Sequence, residues 1–553
     1  MRGLGEKVNP ECSANRMFFY LLMLCQFLYL LFGINWDLNV YDEGFTVYGA
    51  ARVLNGDVPY RDFWTIYAPG QFYVLAGLFK LFGSSILVER IYDVLVRLAL
   101  SVIVYLIAVK LTSRRIALIP WFIVTLWLGS CGFYSYSVFP ALAFSLLSVF
   151  CLLNYISQKR ASWLIISGFA VGITTIFRHD LGFYSFVCDG FILTDFAFAP
   201  RIRESDSLGN KLLDIVKVEL PFIVGVSVPT LPILSYLLSV VPIDALWSQL
   251  FVFPLTVLHR VRSLPYPPLL PNPLPIITGD LSAVSYVKFI LNIWIRFYLP
   301  LLVYGMVSIS VMVLSRRPGK VHRDQVRTWG MFLLILLGMA YFSQAMSRAD
   351  SIHLLPTSIL AVLLLITLLS NIPRTVPRMH FVLPIFLLLL IISIPYLVIP
   401  ARTYLTTVSL FWPRACLSHL ERAGCMHVRP DQEQAIEYIQ SHTSEGDRIF
   451  VGNSRHDQIF ANDIMFYFLA DRHSATKYHE LHPGVATTLS VQRAIVEDLK
   501  RYDVEYIVLS SLFASVIEPN ESGISSGITF LDDFLRRNYQ LVEQFGHYTI
   551  WKK

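Results

Sequence analysis

The chain has 553 residues, of which 55% are hydrophobic and only 15% are charged. Soluble globular proteins carry about 25% charged residues, so much of this chain is expected not to be exposed to water. Apolar runs of about 20 residues recur, and each is long enough to cross the hydrocarbon core of a bilayer. These features exclude an ordinary soluble enzyme and predict a polytopic α-helical membrane protein. The net charge of +6 lies in a few loops, which indicates orientation and does not point to a nucleic acid partner.

The apolar runs predict about eleven membrane spans. They lie at residues 17–35, 88–109, 116–131, 136–156, 162–177, 183–200, 217–240, 286–314, 328–345, 354–371 and 381–399. The first run lacks a small-residue cleavage site, so we read it as a retained span. A shorter run at 71–83 has polar flanks and predicts an interfacial helix.

Basic residues fall in alternate loops. They occupy the N-terminal tail, 110–115, 157–161, 199–217, 315–327 and 371–380. By the positive-inside rule this side is cytoplasmic, which places the N-terminus there. The opposite, extracytoplasmic side then receives the first loop (36–87), short turns near 178–182 and 346–353, and the region from about 400. It also receives loop 241–285, whose many prolines predict extended segments.

The C-terminal region has the composition of a soluble domain. We expect a linker at 401–428 and an α/β domain at 429–553, because helical patterns at 431–442, 491–501 and 528–538 alternate with short β-rich runs. Cys416 and Cys425 form either a disulfide or two free thiols.

Two adjacent carboxylates, Asp42 and Glu43, lie a few residues beyond the first span. One interpretation is structural: Asp42 caps the helix that starts at Phe45, and Glu43 complements its dipole. The other is catalytic, since a carboxylate at a membrane face can act as a general base. The two roles are compatible.

The first loop also carries a Gly-x-x-Pro-Tyr-x-Asp-Phe stretch at 56–63 and a Tyr-x-Pro-Gly turn at 67–70. Together with the Asp-Glu opening, these motifs resemble the GT-C membrane glycosyltransferases of family 39. The resemblance is to the bacterial relatives of protein O-mannosyltransferases and to the lipid A aminoarabinose transferases. It implies transfer of a hexose or pentose from a polyprenyl-phosphate carrier on the outer face of the cell (inner) membrane. It also implies Asp42 as the base, and an acceptor that is a glycolipid, a polysaccharide or a protein.

Two polar insertions on the same side each contain Arg-x-Asp. The first has Arg178 and Asp180, and the second has Arg348, Asp350 and His353. Ionisable groups at a membrane are costly and usually functional or paired with each other. Either each Arg pairs with its own Asp, or these cations hold the phosphate of the donor.

Our expectation assigns Arg348 and His353 to the donor phosphate, Arg178 as a second contact, and the two aspartates as groups that orient them. Glu43 would support Asp42, and three tyrosines could stack on sugar or belong to an aromatic belt, namely Tyr41, Tyr60 and Tyr67. Asp42, Glu43 and Asp180 have the oxygen ligands that Mg²⁺ or Mn²⁺ prefers, so metal dependence stays open. Glu89 and Arg90 either join the site or form a snorkelling interface pair, and we favour the pair.

A transporter or lipid flippase is the main alternative. It would also have many spans and buried charges, but transporters place polar groups near mid-membrane and often contain internal repeats. This chain concentrates them at one face. An oligosaccharide donor is less favoured, because a Trp-Trp-Asp signature is missing from the C-terminal region.

Overall fold

The computed structural model describes residues 10–198, 208–274, 282–315, 325–370 and 416–553. The N-terminal part is helical. Its helices are α1 (Pro10–Leu31), α2 (Asp42–Leu54), α3 (Gly70–Phe82), α4 (Ile86–Leu111), α5 (Arg114–Leu128), α6 (Val138–Gln158), α7 (Ala161–Phe177), α8 (His179–Phe198), α9 (Leu208–Val240), α10 (Ile243–Trp247), α11 (Ala283–Ile293), α12 (Leu299–Ser315), α13 (Gln325–Ser347) and α14 (Ser351–Ser370).

These helices coincide with the predicted spans. A π-helical turn at Trp294–Tyr298 joins α11 to α12 into one long helix, and α3 occupies the predicted interfacial run. The predicted span 381–399 lies outside the described residues. Within the described ranges, six helices are long and apolar enough to cross a membrane. The chain is an integral membrane protein.

The helix ends with basic turns lie together. Arg327 at the start of α13 donates to the carbonyl of Leu111, which ends α4, at 2.8 Å. Lys159, in the turn after α6, lies 3.5 Å from the ring centroid of Phe196 near the end of α8. These contacts join the basic end of α4 to that of α13 and the end of α6 to that of α8. The orientation across the membrane stays a prediction.

Loop 241–285 is more helical than its prolines suggested. After α10 the chain continues through π-helical turns at Ser248–Val252 and Pro254–Leu258 to a last helical turn at His259–Val261. Pro254 fits because it begins its turn, where its missing N–H is not needed. The expectation of extended chain was wrong for this stretch. It holds from Arg262 to Asn272, where the prolines cluster.

The C-terminal part forms a mixed sheet covered by helices. Its elements are α15 (Pro430–His442), β1 (Arg448–Asn453), α16 (Met465–Ala470), β2 (His473–Ser474), α17 (Leu489–Arg501), β3 (Tyr506–Ser510), α18 (Phe530–Asn538), β4 (Gln540–Phe545) and β5 (Tyr548–Lys552). The strand order is β2-β1-β3-β5-β4. β1 runs parallel to β2 and β3, whereas β5 is antiparallel to β3 and β4.

The first loop and the C-terminal sheet share one hydrophobic core. Ile464 and Met465 donate backbone hydrogen bonds to the carbonyl of Val40 at 3.1 and 3.0 Å. The hydroxyl of Tyr48 accepts from the backbone N–H of Ser474 at 2.6 Å, and its ring stacks on Tyr467. Because α2 is covered by α3 on one side and α16 on another, almost all of its residues are buried.

Residues 416–428 belong to this same core. Leu420, Ala423, Met426 and Val428 are buried against the first loop and the sheet, and Cys416 is disulfide-bonded to Cys425. The part of the predicted linker from Cys416 onward is therefore packed structure. Residues 401–415 lie outside the described ranges.

The contact between α2 and α16 makes a prediction about Gly44. A Cβ at this position would lie 2.6 Å from the backbone nitrogen of Met465, which cannot move without disturbing the turn before α16. We expect Gly44→Ala to cost about 1–3 kcal/mol of stability, as overpacked sites do. Thermal aggregation of the full-length protein in detergent measures it.

The matched control is Gly77→Ala in α3, where an added Cβ meets no atom within 4 Å. This change should be neutral or stabilising, because alanine favours a helix by up to about 1 kcal/mol over glycine. Equal melting behaviour of the two variants would contradict the tight α2–α16 contact.

Candidate active site

Asn39 forms the start of α2. Its Oδ1 accepts hydrogen bonds from the backbone N–H groups of Tyr41 and Asp42, at 3.2 and 2.8 Å. Its Nδ2 donates to Oδ2 of Asp42 at 3.0 Å. Asn39 therefore does the capping that the sequence interpretation gave to Asp42. An asparagine before a helix is a standard cap, so the signal was present in the sequence.

Glu43 forms a fully buried ion pair with Arg90. Its two oxygens accept from Nε and Nη2 of Arg90 at 2.7 and 2.9 Å, and both side chains are 0% exposed. Arg90 Nη1 also donates to the carbonyls of Ile34 and Trp36. Arg90 is thus no snorkelling residue, and the expected Glu89–Arg90 pair was wrong. Glu89 instead accepts from the backbone N–H of Ser135.

Asp42 stays partly exposed beside this pair. Burial raises its pKa above the usual value of an aspartate, although the hydrogen bond from Asn39 and the cations Arg262 and Arg348 lower it. A carboxylate with a raised pKa is a stronger base once ionised. Among the described residues, no arginine forms an ion pair with Asp42, so its carboxylate is not neutralised by a direct partner.

The first polar insertion is closed on itself. Arg178 donates through Nε and Nη2 to the two oxygens of Asp180, at 3.0 and 2.6 Å. Asp180 also accepts from Nε2 of Gln344, near the end of α13. Of the two alternatives that the sequence left open for this motif, the structure shows the one in which the arginine pairs with its own aspartate.

The second insertion links the membrane helices to the C-terminal domain. Every guanidinium nitrogen of Arg348 is engaged: Nε with Asp350 at 2.9 Å, Nη2 with Glu518 at 2.6 Å, and Nη1 with Glu518 and the carbonyl of Arg262. Nδ1 of His353 lies 2.7 Å from Asp350. The expectation that Arg348 is free for a phosphate does not fit these contacts.

The two insertions and Asp42 nevertheless lie around the same region of the structure, close to Tyr136. Gln344, which binds Asp180, is one helical turn before Arg348. The charges of Asp42, Arg178, Asp180 and Asp350 all act on the hydroxyl of Tyr136, whose pKa is raised by burial to about 12. The ring of Tyr67 stacks on Phe45 at 4.1 Å, and the charges of Asp42 and Glu480 both act on its hydroxyl.

Sequence reasoning missed two further groups near Tyr41, which are Arg262 and Glu480. Arg262 lies over the rings of Tyr41 and Phe460, at 5.2 Å from each centroid, and its side chain interacts with the Tyr41 hydroxyl. Among the described residues, Nη2 of Arg262 and Oε2 of Glu480 are buried without a hydrogen-bond partner. Arg262 follows a helix and Glu480 lies in the C-terminal domain, so no local motif marks either one.

The carboxylates suggested as metal ligands do not form a ligand set. Both oxygens of Glu43 are held by Arg90, and both oxygens of Asp180 are held by Arg178. In the part of the chain that the structure describes, no three His, Cys, Asp or Glu side chains converge on a common point. No step of the chemistry is therefore derived through a metal ion.

Known proteins give the context for this geometry. Residues 67–205 match the family model described as dolichyl-phosphate-mannose-protein mannosyltransferase. The crystal structure of ArnT from Cupriavidus metallidurans in the apo state superposes with a TM-score of 0.53 at 14% identity, covering 97% of this chain and 98% of that one. Residues 67–205 are therefore PMT-like, and the chain has the GT-C fold of this ArnT structure. The resemblance predicted from the first loop is confirmed.

Two more solved structures are similar at lower scores. ArnT from Cupriavidus metallidurans bound to undecaprenyl phosphate has a TM-score of 0.45 and 14% identity, covering 98% of each chain. The oligosaccharyltransferase of Archaeoglobus fulgidus has a TM-score of 0.48 and 12% identity, covering 88% of this chain and 67% of that one. A comparison with curated proteins gives no match.

The Glu43–Arg90 pair predicts a strong structural effect. Arg90→Met leaves the buried Glu43 carboxylate without its counter-ion, with only the backbone N–H of Asn39 as a donor among the described residues, and breaking such a pair costs about 3–5 kcal/mol. We expect a large loss of folded protein after extraction from the membrane. Size-exclusion profiles and thermal aggregation in detergent measure this.

Arg260→Met is the control, because it breaks the exposed Arg260–Glu521 ion pair and should leave stability unchanged. If both variants behave alike, the buried pair does not carry the stability that its geometry indicates.

Proposed function

We propose that this PMT-like protein transfers a sugar from a polyprenyl-phosphate donor to an acceptor hydroxyl, with Asp42 as the general base. The observation that carries the proposal is the arrangement around Asp42. It is a partly exposed carboxylate with a raised pKa, next to a cation, Arg262, that has an unpartnered buried nitrogen. A base beside an anion site is what glycosyl transfer from a phosphate requires.

The reaction follows from these groups. Asp42 accepts the proton of the acceptor hydroxyl while that oxygen attacks the anomeric carbon of the donor. The bond between the anomeric carbon and the phosphate oxygen breaks, and the phosphate leaves with the electron pair. Negative charge grows on the phosphate, and a cation held in place before the reaction stabilises it.

We assign the phosphate contact to Arg262. The guanidinium of Arg348 donates to Asp350, Glu518 and a backbone carbonyl. We therefore assign Arg348 and His353 a structural role on one side of the site. Arg178 and Asp180 form the opposing wall. Glu43 acts through Arg90 by holding the turn that presents Asp42.

The family model supports the donor class, since its description names dolichyl-phosphate mannose, a sugar on a polyprenyl phosphate. We propose the cell (inner) membrane as the location, with Asp42 and the C-terminal domain extracytoplasmic, because the basic loops lie at the opposite helix ends. A sugar-modified component of the cell envelope is the proposed product, with a glycolipid, polysaccharide or protein as acceptor.

A transporter or lipid flippase fits this structure less well. Transport requires polar groups near mid-membrane that alternate between the two sides. Asp189, which accepts a hydrogen bond from Ser148 of α6, is a buried carboxyl in the middle of α8. The ion pairs around Asp42 instead gather at one end of the helices, where α13 ends and α2 begins. That placement favours chemistry at one membrane face.

The first experiment compares wild type with Asp42→Asn in membranes, using a panel of radiolabelled polyprenyl-phosphate sugars and endogenous acceptors. We expect transfer by the wild type and a loss of at least about 100-fold in the variant, the range for removal of a general base. Asn keeps the size of the side chain and its contact with Asn39, so the fold should persist.

Asp62→Asn is the matched control, because this aspartate lies in the same loop and binds Arg61 and the N–H of Val58. It should retain activity. Full transfer by a folded Asp42→Asn protein would remove Asp42 from the base role. A folded wild type that consumes no donor in the panel would favour the transporter.

The raised pKa of Asp42 also predicts the pH profile. The base form exists above the folded-state pKa and is lost as pH falls through it. Because burial places that pKa above the usual aspartate value, the acid limb of kcat/KM should lie above the usual aspartate range. An acid limb at or below that range would contradict the described environment of Asp42.

A further inference from the structure

Glu480 brings a carboxyl group from the C-terminal domain to the membrane site. It is 1% exposed and lies in the segment between β2 and α17. This segment is fixed to the first loop, because the N–H of Trp64 donates to the carbonyl of Lys477 at 3.0 Å. The ring of His482 also packs on Trp64 and Phe253.

The Glu480 carboxyl is incompletely satisfied. Thr65 is its hydrogen-bonding neighbour, but Oε2 has no partner among the described residues. A buried oxygen without a partner costs about 1–3 kcal/mol, so natural proteins leave few of them. The position of this one, beside Arg262 and Tyr41, indicates a ligand that completes it.

We infer that Glu480, in its protonated form, donates a hydrogen bond to the donor phosphate together with Arg262 and Tyr41. These residues come from the C-terminal domain, from the stretch after α10 and from the start of α2. Nη2 of Arg262 and Oε2 of Glu480 have no hydrogen-bond partner in the described part of the chain, and the Tyr41 hydroxyl interacts with Arg262. This inference rests on the function proposed above.

The chemistry of the three groups selects an anion. Arg262 supplies N–H donors and a positive charge, while Tyr41 and a neutral carboxyl each supply an O–H. One cationic N–H donor and two O–H donors together match the non-bridging oxygens of a phosphate. Glu480 transfers no proton in this role and acts as a positioning residue that also stabilises charge on the leaving phosphate.

The protonation state of Glu480 fits this role. Burial raises its pKa to about 8, against smaller opposing effects of Thr65 and Arg262. Its tyrosine and histidine neighbours do not titrate in that range, whereas burial also raises the pKa of Asp42 in the same site. Burial raises the pKa of Tyr41 and of Tyr67 well above 10, lowers the pKa of His482 to about 3 and lowers that of His479 well below its usual value.

The test measures binding of radiolabelled undecaprenyl phosphate to the full-length protein in detergent, at pH values below and above the Glu480 pKa of about 8. The probe's own second ionisation, near pH 6, is complete in this range. We expect wild-type affinity to fall tenfold per pH unit once Glu480 ionises. Glu480→Gln keeps an N–H donor and should bind at a level that does not change with pH.

Glu480→Ala should bind about tenfold more weakly or worse at neutral pH, because a hydrogen bond to a charged group is lost. The matched control is Asp463→Asn, a buried carboxyl in the same domain bonded to Tyr548 and Gln432. This variant should keep the wild-type pH dependence. Thermal aggregation verifies that each variant is folded.

The outcomes separate the two proposals. Wild-type binding with the same pH dependence in Glu480→Gln, or unweakened binding by Glu480→Ala, would overturn the role of Glu480 and leave the donor class intact. No binding of undecaprenyl phosphate by folded wild type at any pH would overturn the polyprenyl-phosphate donor itself.

Discussion

The buried ion pair between Glu43 and Arg90 is the constraint on which the site depends. Two charges with no exposure to water persist only when each satisfies the other. Arg90 also holds the carbonyls of Ile34 and Trp36, where the chain leaves α1. One residue of α4 therefore fixes both the exit of the first helix and the start of α2. Asp42 is presented at the membrane face because its neighbour Glu43 is anchored in this way.

The shared core turns the C-terminal domain into part of the site. α2 is buried between α3 and α16, and Arg348 at the end of α13 binds Glu518 of the domain. These contacts hold the domain at the mouth of the helices, where Glu480 lies beside Arg262.

In each of the two Arg-x-Asp motifs, the arginine pairs with its own aspartate, which limits its role in binding a phosphate. Both arginines bind their own aspartates, so their main effect is to shape and rigidify the walls. The cation that we propose for the phosphate is Arg262, which stacks on two aromatic rings and keeps a buried nitrogen unpartnered within the described residues. Aromatic rings hold an arginine in position without neutralising its charge.

The sequence by itself determined the membrane class, the positions of the described spans, the two groups of helix ends and the family resemblance. Each rests on local hydrophobic runs, on basic turns or on a short motif such as Asp42-Glu43. Only the tertiary structure decided that Asn39 caps α2, that Glu43 pairs with Arg90, and that Arg262 and Glu480 lie around Tyr41. These partners are distant in the chain, and a buried charge selects its partner by proximity in the folded protein, which no local pattern encodes.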